Sequence, residues 1–268
     1  MMSLPSLFIS HGAPTFALSP GLLGPQLTAL GRSLPKPRAV LVMSPHWSSR
    51  RQEVGSAAAP ATVHDFGGFP RALYELDYPA AGAPGLAAEV IALLGHHGLS
   101  AVANDLQGRD HGAWVPMMHL YPQADVPVLQ ISQPAMPLPS TFFEIGQALS
   151  PLRKQGVLIV GSGSLTHNLY EIGAGAQAGS VARNFADWVW TQIARGDLDA
   201  LLNYRSAAPA ASRAHPTDEH FLPLFFAIGA AGNDWMSANR LEGGMDYDVL
   251  AMDSFVLGAA PGELSPTH

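Results

Sequence analysis

A single α/β domain, built on a central mixed, mostly parallel sheet with helices on both faces, is predicted by three features of the 268-residue sequence. Several short, unbroken apolar runs read as strands covered on both faces. Longer stretches with apolar residues at helical spacing lie between them, and such alternation implies a layered α/β body. No internal repeat or low-complexity linker divides the chain.

Taken in order, Leu4–Ser10 is the first strand and Ala39–Met43 the second, the latter running Ala-Val-Leu-Val-Met into Ser44-Pro45-His46. Gly85–His97 has helical spacing and ends near Gly98. Val126–Ile131 is a strand. Ser140–Leu152 is a helix with Phe143, Ile145 and Leu149 on one side, and Val157–Val160 is again a strand. Ser180–Arg195 carries Val181, Phe185, Trp188 and Ile193 at helical intervals. The Ala-rich Ser206–Ala214 stretch reads as a loop. Thr217–Gly229 opens with the Thr-Asp-Glu start signal of a helix and continues through Phe221, Leu222, Leu224 and Phe225. Tyr247–Leu257 reads as a longer strand with a partner at Gln52–Ser56. Residues 1–260 therefore form one domain, and the tail Pro261–His268 is expected to fray.

Composition narrows the function. The chain is 47% apolar and 13% charged, as expected of a folded body, and its net charge is −7. Its 14 Lys and Arg never cluster beyond Arg50-Arg51 and Arg153-Lys154, which argues against nucleic acid as a partner. No apolar run approaches the ~18 residues of a membrane helix, and the N-terminal stretch lacks the basic region of a signal peptide. A cytoplasmic protein is expected, as a monomer or a homo-oligomer. There are no cysteines, so any metal must be held by His, Asp or Glu and no thiol nucleophile exists.

Eleven histidines are many for this length, and their positions carry more than their number. His11 follows Leu-Phe-Ile-Ser, His46 follows Leu-Val-Met-Ser-Pro, and His167 follows Leu-Ile-Val-Gly-Ser-Gly-Ser-Leu-Thr. Ligands in open α/β sheets bind outside the carboxyl ends of strands, so these three face one edge by topology. His220, in the first turn of the predicted last helix, can join them. A lone His after a strand is more often structural; four in matching context point to a shared site. His96-His97 reads as surface structure, and His119 and His268 have no special context. Gly161-Ser162-Gly163-Ser164 lacks the spacing of a nucleophile elbow and the Lys-Ser/Thr end of a P-loop, and reads as a flexible turn that lets His167 approach the site.

The motifs Phe8-Ile9-Ser10-His11-Gly12, Ser44-Pro45-His46-Trp47, His64-Asp65-Phe66-Gly67-Gly68-Phe69-Pro70, Tyr78-Pro79-Ala80, Asp110-His111-Gly112-Ala113-Trp114, Gly161 to Asn168, and His215 to Leu224 occur in that order. Together they resemble the class III extradiol ring-cleaving dioxygenases, in particular the DOPA 4,5-dioxygenase-like branch. The resemblance implies metal ligation by His11, His46 and His220, with His167 as catalytic base and acid. It implies His111, able to donate to an anionic oxygen, as a substrate contact; His64, Phe69 and His215 join it, and Phe66 and Trp114 complete an aromatic pocket. It further implies Fe(II) for activity, with Zn(II) able to occupy the site, and a catechol-type substrate cleaved with O2 to a semialdehyde. Protocatechuate-cleaving members carry glutamate as third ligand. That position is His220 here, with Glu219 beside it as the alternative, and neighbours on a helix diverge by about 100°, too far to share one ion. The same three histidines also suit a zinc-dependent hydrolase or a catalytically silent zinc-binding homologue.

Overall fold

Apolar residues of the central strands fall alternately on two faces, and each face meets its own set of helices. The computed structural model describes residues 3–136 and 138–258. The chain begins β1 (Ser6–Ser10), α1 (Leu23–Ser33), β2 (Ala39–Ser49), β3 (Gln52–Gly55), α2 (Arg71–Tyr74), α3 (Pro84–His96) and β4 (Ala101–Asn104). It continues α4 (His111–Leu120), β5 (Val128–Pro134), α5 (Pro139–Leu149), β6 (Val157–Gly163) and α6 (Ala176–Arg195). Three short helices follow, α7 (Leu198–Leu202), α8 (Tyr204–Ala207) and α9 (Ala211–Ala214), then α10 (Pro223–Ala231). The last elements are β7 (Ala238–Leu241), β8 (Met245–Asp246), β9 (Leu250–Ala251) and β10 (Ser254–Leu257).

Eight strands form one sheet in the order β4-β3-β5-β2-β6-β1-β10-β7. The middle four, β5, β2, β6 and β1, are parallel. Antiparallel pairing begins at β3 on one side and β10 on the other, so the sheet is mixed. Phe8, Leu41, Met43, Leu129 and Ile159 pack on one face with α3, α5, α6 and α10. Leu7, Ile9, Val40, Val42, Leu158 and Val160 pack on the other with α1 and α4. The fold is the single α/β domain with helices on both faces that the sequence predicts. Among the described residues, no helix is long and apolar enough to cross a membrane.

Five local expectations are corrected. Tyr247–Leu257 is not one strand: Tyr247 and Asp248 take positive φ (49° and 62°) in the turn between β8 and β9, and the strand segments beyond are the separate β9 (Leu250–Ala251) and β10 (Ser254–Leu257). The partner of β10 is β1, whereas Gln52–Gly55 pairs with β4 and β5. Ser206–Ala214 is not a plain loop, since the end of α8 and all of α9 lie within it. The helix expected from Thr217 begins only at Pro223; the turn before it is held by Phe221 and Leu222 amides donating to the Asp218 carbonyl. Gly161-Ser162-Gly163 is not a flexible turn but the end of β6. The tail Pro261–His268 lies outside the described residues.

The second strand runs further than its apolar stretch suggests, through His46 to Ser49. Its register against β5 shifts between Met43 and Ser48. Pro45 has no amide hydrogen to give the ladder, so pairing breaks there and resumes beyond. The irregular segment carries His46 to the carboxyl edge of the sheet.

Candidate metal centre

Five imidazoles meet at that edge. His11 directly follows β1, and its amide donates to the Gly163 carbonyl at the end of β6 (2.9 Å). The next amide of that segment, Ser164, donates to the His220 carbonyl (2.8 Å), so the end of β6 holds both histidine-bearing segments. The glycines of β6 are required by this approach. A Cβ on Gly163 would lie 2.2 Å from the His220 carbonyl oxygen, and one on Gly161 2.0 Å from that of Pro223. We expect Gly163→Ala to push the His220 segment off the strand, destabilising the fold by about 1–3 kcal/mol as overpacking does and weakening metal retention. Thermal melts and metal analysis of the purified variant check this.

His111 opens α4. Asp110 caps that helix, accepting from the Ala113 amide (3.1 Å), and its carboxylate is buried against Ser44 Oγ (2.7 Å) and Gln130 Nε2 (2.7 Å). Burial pushes the Asp110 carboxyl above its ordinary range. His167 lies beyond β6, its amide donating to the Ala214 carbonyl.

The ring nitrogens are individually assigned by their partners. Ser162 Oγ donates its proton to the Gly112 carbonyl, so it accepts from His11 Nδ1 at 2.9 Å. His46 Nδ1 faces Asp65 Oδ2 at 3.4 Å, and His220 Nδ1 sits 3.1 Å from Glu219 Oε1. With Nδ1–H turned outward in all three, each ring presents an unprotonated Nε2. His11 Nε2 and His46 Nε2 stand 3.2 Å apart. Two lone pairs at that distance repel unless a cation lies between them. Two nitrogens bound to one ion at about 2.1 Å, with an angle of 90–110°, stand about 3.0–3.4 Å apart.

Ring spacing extends the test. Cis imidazoles on one ion place their ring centres about 4.6–5.3 Å apart, widening to about 5.6 Å at a 120° angle. His11–His46 and His46–His220 are at 5.1 Å and His11–His220 at 5.5 Å. Ligating atoms of His11, His46 and His111 also lie within 4.8 Å of one another, as do those of His167, Glu219 and His220. Yet His46–His111 ring centres are only 4.0 Å apart, and His167 stacks on His220 at 3.5 Å with planes 9° apart. Stacked rings point their in-plane lone pairs side by side, so those two cannot converge on one ion. The donor set can hold a divalent cation, and the ring spacing of His11, His46 and His220 suits one.

Electrostatics agree. Burial, then the neighbouring imidazoles, hold His11 and His220 well below the ordinary histidine value, and burial followed by His111 lowers His46 to about 3. Burial also lowers His167. These rings are neutral at pH 7 and available as donors to a metal. Burial raises Asp65, but its hydrogen bonds to the His111 ring and amide outweigh that and hold it below the usual carboxylate value.

Comparison with known proteins decides the family. Residues 27–254 match the family described as the catalytic LigB subunit of aromatic ring-opening dioxygenase. The chain belongs to this family. It is 37% identical over 257 residues to a 4,5-DOPA dioxygenase extradiol of Beta vulgaris, covering 93% of this chain and 95% of the relative. It is 35% identical to the protein of the same name from Escherichia coli (strain K12), covering 95% of each. The crystal structure of an uncharacterised Escherichia coli K12 protein superposes with a TM-score of 0.77 at 28% identity, over 95% of this chain and all of that one. As a LigB-family member, the protein is an aromatic ring-opening dioxygenase, an oxidoreductase.

The remaining residues picked out in the sequence divide within this LigB-family fold. His111 is in the cluster, its Nδ1 3.0 Å from Asp65 Oδ2 and its amide 2.8 Å from Asp65 Oδ1. With Nδ1 engaged by Asp65, His111 has Nε2 left for a substrate. His64 stands one layer away, bonded to the Leu76 carbonyl (3.0 Å) and edge-on to Phe66 and Trp114. Phe66 bridges that layer to His111 (5.6 Å between ring centres) and packs edge-on against Phe69. His215 is elsewhere: it is fully buried, bonds the Leu165 carbonyl (2.9 Å) and packs against Phe185 and Phe221. It sits in the core behind the His167 segment. Ser162 and the partner role of Asp65 were not singled out from sequence. The Gly-Ser-Gly run and the His-Asp-Phe motif contain them, but nothing local tells which imidazole each meets.

Proposed function

We propose that the protein cleaves a catechol-type ring in extradiol fashion with O2, giving a ring-opened semialdehyde, at a metal held by His11, His46 and His220. The observation that carries this is the spacing of those three rings, each with Nδ1 facing an oxygen and Nε2 left to the centre. Ferrous iron, the metal proposed for activity, supplies open coordination positions and redox chemistry to bring diol and oxygen into reaction when bound. Zinc competes for an all-imidazole site by the ordinary order of divalent affinities, so a zinc-filled sample is expected to be inactive.

His167 lies against His220 but off the metal, and its neutral ring is free to take a proton from a substrate hydroxyl and return it as the ring opens. His111 contacts the second oxygen of the diol through Nε2. Phe66, Phe69, His64 and Trp114 form the aromatic side of the pocket, and His215 fixes the Leu165 carbonyl behind it. The names of the relatives make DOPA the first catechol to try.

The test is anaerobic loading with ferrous iron, addition of a panel of substituted catechols, and admission of oxygen while a yellow product is followed. Absence of oxygen uptake with every catechol would defeat the proposal. His167→Ala is expected to retain metal while turnover falls by about 10²–10⁴, the usual contribution of a positioned acid or base. Undiminished turnover in that variant would remove His167 from the chemistry.

A further inference from the structure

An all-histidine centre raises a question of charge. Three neutral imidazoles leave a divalent ion with its full charge, yet two carboxylates stand directly behind the rings. Asp65 Oδ2 lies 3.4 Å from His46 Nδ1 and 3.0 Å from His111 Nδ1, and Asp65 Oδ1 accepts the His111 amide at 2.8 Å. Glu219 Oε1 lies 3.1 Å from His220 Nδ1. Neither carboxylate is paired with Lys or Arg among the described residues.

Both are held in place independently of the imidazoles. Thr217 Oγ1 donates to Glu219 Oε1 (2.9 Å), and Gln133 Nε2 donates to the Glu219 carbonyl (3.0 Å). The His111 amide fixes one oxygen of Asp65, leaving the other for the two rings. Glu219 engages the nitrogen of His220 that is turned away from the centre. It is therefore not a ligand alongside His220, and its adjacency in sequence serves a different end.

We infer that Asp65 and Glu219 are positioning residues of the metal centre, Asp65 facing Nδ1 of His46 and Glu219 bonding Nδ1 of His220 so that each ring meets the ion through Nε2, and supplying from outside the negative charge that a carboxylate ligand otherwise provides. Ser162 performs the orienting half of this task for His11 without the charge. This inference rests on the metal-site reading above. A hydrogen-bonded carboxylate makes imidazole a better donor and fixes its tautomer; loss of such a partner typically lowers metal affinity by ~10–100-fold.

The experiment measures zinc affinity by competition with a chromophoric chelator, independently of turnover, for the unaltered protein and for Asp65→Ala, Asp65→Asn, Glu219→Ala, Glu219→Gln and His11→Ala. Asn and Gln keep an oxygen acceptor without the charge, and Gln in particular fits the Glu219 position. Alanine variants are expected to lose ~10–100-fold in affinity, and the amide variants less, because orientation survives while charge does not. Circular dichroism of the metal-free proteins separates this from unfolding, and the amide variants carry the test if an alanine variant fails to fold. If all four carboxylate variants bind zinc within twofold of the unaltered protein while His11→Ala does not, the inference is overturned and the metal site stands. If His11→Ala itself binds zinc normally, the metal-site reading fails first.

Discussion

His220→Ala abolishes metal retention and ring cleavage together, while His111→Ala keeps the metal and loses substrate affinity: this contrast is the largest effect expected of any substitution. The two histidines are the competing choices for the third ligand. His111 has its nitrogens close to those of His11 and His46, but its ring centre is 4.0 Å from that of His46. On one ion that would force an angle below about 80° between two bonds of about 2.1 Å. His220 lies 5.1 and 5.5 Å from the other two rings, spacings that one ion reaches at angles of about 100–120°. Removing a direct ligand should exceed the ~10–100-fold cost of losing an outer partner, so affinity falls by well over about 100-fold. For His111→Ala, KM for a catechol rises and metal content stays stoichiometric. Metal analysis after dialysis, with oxygen uptake by the iron-loaded proteins, reads both outcomes. Full metal content in His220→Ala and loss in His111→Ala would reverse the assignment.

How much of this was legible follows from what is local. Ala39–Met43 and Val157–Val160 reveal themselves because strands buried on both faces need no polar residues, and the structure places Val40, Leu41, Val42 and Met43 wholly inside. The extension of β2 past Pro45 was hidden, since proline marks a break in pairing and the strand resumes only through contacts with β5. The Thr217-Asp218-Glu219 signal does initiate a turn, but Pro223 lacks the amide to continue its hydrogen bonding, so the regular helix starts later. The four histidines were legible from one topological rule about strand ends. Their partners were not: Ser162 meets His11 across 151 positions of chain, and no sequence pattern predicts which way a ring turns. His215 shows the same limit. Its motif groups it with His220, while the structure turns its ring into the aromatic core.

That buried ring underlies the second large effect, a loss of stability on acidification. Burial lowers His215 to about 3, against 6.5 for an exposed histidine. Below pH 6.5 the unfolded chain takes up a proton that the folded chain refuses, so the unfolded state binds more protons and stability rises with pH. The contribution is complete above pH 6.5 and is lost as the pH falls toward 3. From one histidine this amounts to about 2 kcal/mol at pH 5, at ~1.4 kcal/mol per pH unit. His11, His46 and His220 are lowered in the same direction, so their losses add to that of His215 in a domain whose ordinary stability is ~5–15 kcal/mol. Metal-free protein is therefore expected to unfold cooperatively between about pH 6 and pH 4. His215 is the term to test, since burial dominates its shift and its ring packs in the aromatic core. His215→Gln can retain a donor to the Leu165 carbonyl without the titration. Its stability at pH 7.5 falls, since its fit in the core is poorer, but its further drop between pH 7.5 and pH 5 should be smaller than that of the unaltered protein by about 2 kcal/mol. Urea unfolding at the two pH values measures both drops, and equal drops would show that His215 takes up its proton as readily folded as unfolded.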